Sequence, residues 1–104
     1  MTARCNGARG EVTVVLAGAE RTLCLTLGAL AEIEAGLGLT SVSELAGRMQ
    51  AVSAADLVVV LTALLRGGGE GELAGALEAA AIDPREAANA AARAFSASAG
   101  AAGA

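Results

Sequence analysis

Gly10-Glu11-Val12-Thr13-Val14-Val15-Leu16-Ala17-Gly18-Ala19-Glu20-Arg21-Thr22-Leu23-Cys24-Leu25-Thr26-Leu27 is the stretch whose reading decides the fold class. Val12, Val14 and Leu16 alternate with Thr13 and Val15, the period of a half-buried strand. Ala17 to Glu20, with Gly18, supply a turn. Arg21 to Leu27 then alternate again, with Leu23, Leu25 and Leu27 on one face and Thr22, Cys24 and Thr26 on the other. Two short strands about a Gly-containing turn predict a β-hairpin. A lone hairpin is marginal in water, so its Val/Leu face needs a cover, and everything that follows has helical character. The expected class is α+β, mainly α: an N-terminal β-hairpin followed by a bundle of four to five short helices.

Working outward, Thr26 is a plausible N-cap for a first helix from about Gly28 to Gly36. Leu30, Ile33 and Leu37 form its apolar stripe, Glu32 and Glu34 point away, and Gly36 or Gly38 can end it. The leucines between Leu25 and Leu30 are expected in the core. Ser41 followed by Glu44 reads as a capping box opening a short helix to about Met49 that buries Val42, Leu45 and Met49. Ser53 and Asp56 open a third helix, about Ala54 to Arg66. Val58, Leu61 and Leu65 lie on one side of it with Leu57 and Leu64 beside them, and Val59 and Val60 carry the apolar character round to another. Gly67-Gly68-Gly69 breaks the pattern and reads as a flexible helix–helix linker. A fourth helix over Glu72 to Ala81 turns Leu73, Leu77 and Ala80 inward. Asp83-Pro84 with Glu86 starts a fifth, ending near Phe95. In domain terms, residues 1–9 form a flexible N-terminus, 10–95 a single domain, and 96–104 a flexible Ala/Gly/Ser tail.

The composition limits the core. The 104 residues include 28 Ala and 14 Gly, while Leu, Ile, Val and Phe together number 25. At roughly 1.5–3 kcal/mol per fully buried large apolar side chain, those residues can drive folding of one small domain of modest stability. The net charge of −4 and seven scattered arginines, with no Lys, argue against nucleic acid, which needs a concentrated basic face. The longest apolar run of helical character, Leu57 to Leu65, is about half a membrane span. Val12 to Ala19 is shorter than a typical signal-peptide core and carries Glu11 at its edge. A cytoplasmic protein without a membrane segment is expected. In that compartment Cys5 and Cys24 are expected as free thiols.

No catalytic constellation is visible. The chain has no His to serve as base or metal ligand. Glu32 and Glu34 stand two apart and cannot share a helix face. The triple glycine lacks the Gly-Lys-Ser/Thr close of a phosphate loop, and Cys24 has no His partner to activate it. The expectation is no enzyme, no cofactor and no metal. The third helix remains the informative element. It is either the central core helix or a two-sided one, whose second apolar face of Val59, Val60 and Ala63 binds a partner. The Ala-rich last helix is open to the same two readings.

Arg9-Gly10-Glu11, Leu16, Gly18 and the run Leu25-Thr26-Leu27-Gly28-Ala29-Leu30-Ala31-Glu32-Ile33-Glu34 together resemble the small gene transfer agent family protein of alphaproteobacterial clusters. Leu64-Leu65-Arg66-Gly67-Gly68-Gly69 is similar to a second block of that family, and the likeness spans about residues 9 to 95. The family is grouped with phage tail assembly chaperones and has also been labelled a tail tube protein. The resemblance therefore implies a non-catalytic tail assembly chaperone of a gene transfer agent or siphophage-like particle. Its implied partners are the tape measure protein and the tail tube protein. The alternative is a structural tail (tube) component. A tube subunit usually needs long strands for a ring-shaped barrel, and only one short hairpin is legible here.

Overall fold

The structure, a computed structural model, describes residues 11–77 and 82–103. The expected N-terminal segment 1–9 lies outside them, as does Ala80; the expected fourth helix, Glu72 to Ala81, ends already at Gly75. Strands β1 (Glu11–Leu16) and β2 (Ala19–Cys24) form the hairpin. They pair antiparallel from Leu16↔Ala19 out to Glu11↔Cys24. Only two residues make the turn, and both carry positive φ, 54° at Ala17 and 82° at Gly18. That is the handedness a two-residue hairpin requires, because it matches the twist of the strands. Helices α1 (Leu27–Leu37), α2 (Leu45–Met49), α3 (Ala54–Gly67), α4 (Gly71–Gly75) and α5 (Pro84–Gly103) follow in order. The α+β, mainly α class is as the sequence leads one to expect.

The strand-to-helix junction departs from the reading in one respect. β2 stops at Cys24, since Thr26 accepts a hydrogen bond from Ala29 N at 3.0 Å and caps α1. Alternation therefore ends before Leu27. Leu27 becomes the first helical residue, about 200° round the helix from buried Ala29, and is 83% exposed. The core face of α1 is Ala29, Ile33 and Leu37, with Leu25 and Leu30 partly buried against it. Gly38, with φ of 71°, ends the helix and returns its N–H to the Glu34 carbonyl.

α2 is entered differently from the expected Ser41–Glu44 box. A 3-10 turn spans Val42–Glu44, and the Ser41 hydroxyl pairs with that of Ser43 at 2.8 Å. The Glu44 carboxylate reaches back to Thr40 instead. It accepts from the main-chain N–H and the hydroxyl, each at 2.9 Å, and those bonds, the main-chain one first, hold its carboxyl below the usual value. Leu45 is buried as expected; the Val42 side chain lies outside what is described.

α3 is the spine. Ser53 and Asp56 form a complete capping box at its start. The Arg48 guanidinium donates to both Asp56 carboxylate oxygens, at 3.0 and 3.2 Å, and to the Leu37 carbonyl at 3.0 Å. One side chain of α2 thereby satisfies an orphan carbonyl at the end of α1 and fixes the start of α3. The Arg48 hydrogen bond is the main reason Asp56 titrates below its ordinary value.

At the other end of α3, the triple glycine is not the expected flexible linker. Gly67 closes the helix and Gly68 caps it. Both press directly on the β2 main chain: a Cβ on Gly67 would collide with the Cys24 carbonyl oxygen, and one on Gly68 with that of Thr22. Just beyond, Glu70 accepts a hydrogen bond from Thr22 N at 2.9 Å. This close approach explains why β2 ends in two consecutive buried residues, Leu23 and Cys24, where a half-buried strand would alternate. Cys24 is disulfide-bonded, which overturns the free-thiol expectation for it; its partner lies outside the described residues.

Leu73 and Leu77 are buried as expected. α5 begins at Pro84, with Asp83 accepting from Arg85 N at 3.0 Å. Its buried residues among those described are all alanines, Ala87, Ala90, Ala91 and Ala94, set against the hairpin and α3. The helix continues past Phe95 to Gly103, whereas the sequence led us to expect a flexible tail from residue 96. An Ala/Ser run carries no stop signal before its glycines and has high helix propensity.

Candidate functional site: the outer face of α3

α3 buries Leu57, Val60, Leu61, Ala63, Leu64 and Leu65. At 100° per residue these cover rather more than half the circumference. The uncovered arc carries Val58, Val59, Thr62 and Arg66. Sequence reasoning placed a partner-binding face on Val59, Val60 and Ala63, and the structure separates them. Val60 and Ala63 are both 0% exposed, inside the core of the domain itself, so neither presents a free surface. The reason is helical geometry. Residues 60 and 63 fall on the flank that the domain encloses, whereas residue 59 falls about 100° further round than residue 60.

Val59 stays half-buried beside α1. Gly36 makes this contact possible, since a Cβ there would run into the Val59 side chain. The missing side chain lets the last turns of α1 lie close to α3. Between the two helices runs an open groove of about 390 Å3 lined by Glu32, Ala35, Val58, Val59, Thr62 and Arg66. Its floor is apolar. At one end the Arg66 guanidinium donates to the Glu32 carboxylate at 3.2 Å. That pair is exposed, 55% and 43%, so it fixes the shape of the rim and adds little stability.

A second, smaller groove of about 180 Å3 lies at the other flank of α3, between Leu57, Leu61, Leu77 and the start of α5. Residues 78–81, which connect two of its walls, are outside the described residues. Among the described residues no group of three or more His, Cys, Asp or Glu is placed to hold a metal ion. No described helix is long and apolar enough to cross a membrane. The chemistry the α1–α3 groove offers is shape and apolar contact with a charged rim, which suits another polypeptide.

No curated protein and no solved structure matches the chain. A protein-family model described as "Phage tail tube protein, GTA-gp10" matches residues 9–100. That span takes in the hairpin, the α1–α3 groove and most of α5, and the chain belongs to this gene-transfer-agent phage tail family.

Proposed function

We propose that the chain is a non-catalytic structural component of a gene-transfer-agent tail, working through protein–protein contacts. The family match over residues 9–100 carries this reading. It fits the tube role better than the chaperone role, although both were open from the sequence. The lack of any His and the groove floored by Val58 and Val59 support contact over catalysis. We place the partner-facing surface on that groove, with Val59 the member of the original trio that a partner can reach. The tape measure and tail tube proteins are the partners in this reading. Nucleic acid is disfavoured by the charge of −4, and assembly takes place in the cytoplasm.

One observation favours the second reading, a tail assembly chaperone that binds the tape measure protein. The described sheet has two strands, far short of the number from which one chain closes a ring-shaped barrel. Immunolabelling of intact purified particles separates the two. Label along the tail is the expected result. Unlabelled tails, with the protein found only in cell lysate, overturn the structural reading in favour of the chaperone.

A further inference from the structure

Facing residues of an antiparallel pair alternate between bonded and non-bonded. Thr22 N–H is bonded to Glu70 and not to β1, which makes Thr13↔Thr22 a non-bonded pair. By alternation along the register, Glu11↔Cys24 and Val15↔Glu20 are non-bonded too. The main-chain N–H and C=O groups of Glu11, Thr13 and Val15 therefore point out from the β1 edge, and those of Glu20, Thr22 and Cys24 from the β2 edge.

The two edges are treated very differently. β2 is covered over Thr22 to Cys24: the Glu70 carboxylate takes Thr22 N–H, and Gly67 and Gly68 lie against the Cys24 and Thr22 carbonyls. Along β1 the outward main-chain groups of Thr13 and Val15 meet no hydrogen-bond partner among the described residues. Open edges are normally blunted by charged side chains, Pro or a bulge, and β1 has one charge, Glu11 at its start, and none of these from Val12 to Leu16. It carries instead an exposed threonine and a valine that is 56% exposed. Beside it Val15 and α5 enclose a groove of about 310 Å3. Asp83, Glu86, Arg85 and Arg93 all line that groove, so it carries no net charge against an incoming strand.

We propose that β1 is a strand-addition edge through which two copies of this chain pair, β1 to β1, into a continuous four-stranded sheet. The occupant follows from which edges the chain has to offer. With β2 covered over Thr22 to Cys24, a second copy can present only its own β1, and that pairing is self-complementary. A two-fold axis through Thr13 sets Thr13 opposite Thr13 and Glu11 opposite Val15, all of them residues whose groups point outward, for about six hydrogen bonds. Glu11 of each copy then arrives beside the charge-balanced groove lined by Arg85 and Arg93 together with Asp83 and Glu86. Among the described residues the only other strand edge is that of β2, covered at Thr22 and Cys24, so growth stops at two. The pairing concerns the chain by itself and does not depend on its place in a tail.

Sedimentation of the full chain across its soluble concentration range tests this, together with amide exchange. A reversible monomer–dimer shift is expected, with Thr13 and Val15 amides gaining protection as the dimer forms. Thr13→Pro removes only an outward N–H and leaves the hairpin bonds intact, so it should melt like the wild-type monomer and lose the dimer. Val15→Lys, a charge on the same edge, should do the same without touching the backbone. Three results overturn the proposal: a wild type that stays monomeric throughout, a dimer that survives both substitutions, or protection of Thr13 and Val15 that appears only when tape measure protein is added.

Discussion

Replacing Gly68 by alanine tests the central packing claim, that the end of α3 is seated on the backbone of β2. The residue has φ −90° and ψ 1°, a conformation alanine adopts without difficulty, so any penalty is steric and not conformational. The new Cβ would strike the Thr22 carbonyl oxygen and crowd Leu23 N at 3.1 Å. Both are main-chain atoms, and no side chain can swing aside to make room. Either the last turn of α3 or strand β2 must retreat. That movement strains the 2.9 Å bond from Thr22 N to Glu70 and loosens Leu23, Leu64 and Leu65, all 0% exposed. Overpacking costs about 1–3 kcal/mol, and a weakened bond to a charged acceptor adds roughly 1 kcal/mol or more. A combined loss of about 3 kcal/mol lowers the Tm of a domain this size by more than about 10 °C. Thermal unfolding followed by circular dichroism reads this directly. Gly71→Ala is the control, since a Cβ there meets nothing within 4 Å. It should be neutral or stabilising by roughly 0.5–1 kcal/mol. Gly68→Ala melting with the wild type would refute the seating of α3 on β2.

Three further outcomes follow from the same geometry. Leu61→Asp places a charge where the native side chain is 2% exposed, with no partner, and should cost more than about 3 kcal/mol; an unchanged melt would remove α3 from the core. Val59→Asp sits on the open arc, so it should preserve the circular dichroism spectrum while abolishing capture of the tape measure protein in a pull-down. Full capture would clear the α1–α3 groove of that role. The third concerns acid. Asp56 is held below its usual pKa chiefly by the Arg48 hydrogen bond, and Glu44 chiefly by the Thr40 main-chain N–H. A lowered folded pKa means that the unfolded chain takes up the proton first. The stabilisation is therefore complete above the unfolded pKa, about 4 for these groups, and is lost as pH falls through the folded value. The Tm gap between wild type and Arg48→Ala should accordingly be widest near neutrality and narrow in acid; a gap that ignores pH would contradict the role given to Arg48.

Much of this fold is legible in local chemistry. The period-two run at Val12–Leu16, the caps at Thr26 and Ser53–Asp56, and the Asp83-Pro84 start each encode a boundary through bonds between residues a few positions apart. What escaped depends on distant contacts. Gly67 and Gly68 look like a flexible break until β2 is laid across them, and nothing near them in sequence announces Thr22. Leu27 looks like the third leucine of a strand, but the Thr26 cap ends the alternation first and turns it to solvent. Val59, Val60 and Ala63 share one apolar stretch, and only the placement of the surrounding elements decides which of them stays accessible. Glu44 was legible as a capping residue, though its main partner is Thr40, one residue before Ser41. The Gly36–Val59 contact, which shapes the groove, had one weak signal: a glycine within a helix whose chain-ending role Gly38 already fills.

The claim that this chain is built into the tail is tested most directly by its copy number. Quantitative mass spectrometry of purified particles, against isotope-labelled peptides of this chain and of the tape measure protein, gives that number per tail. A structural component predicts several copies for each tape measure protein, retained through particle purification. A chain abundant in the producing cells and absent from the particles would contradict the account and identify an assembly factor instead.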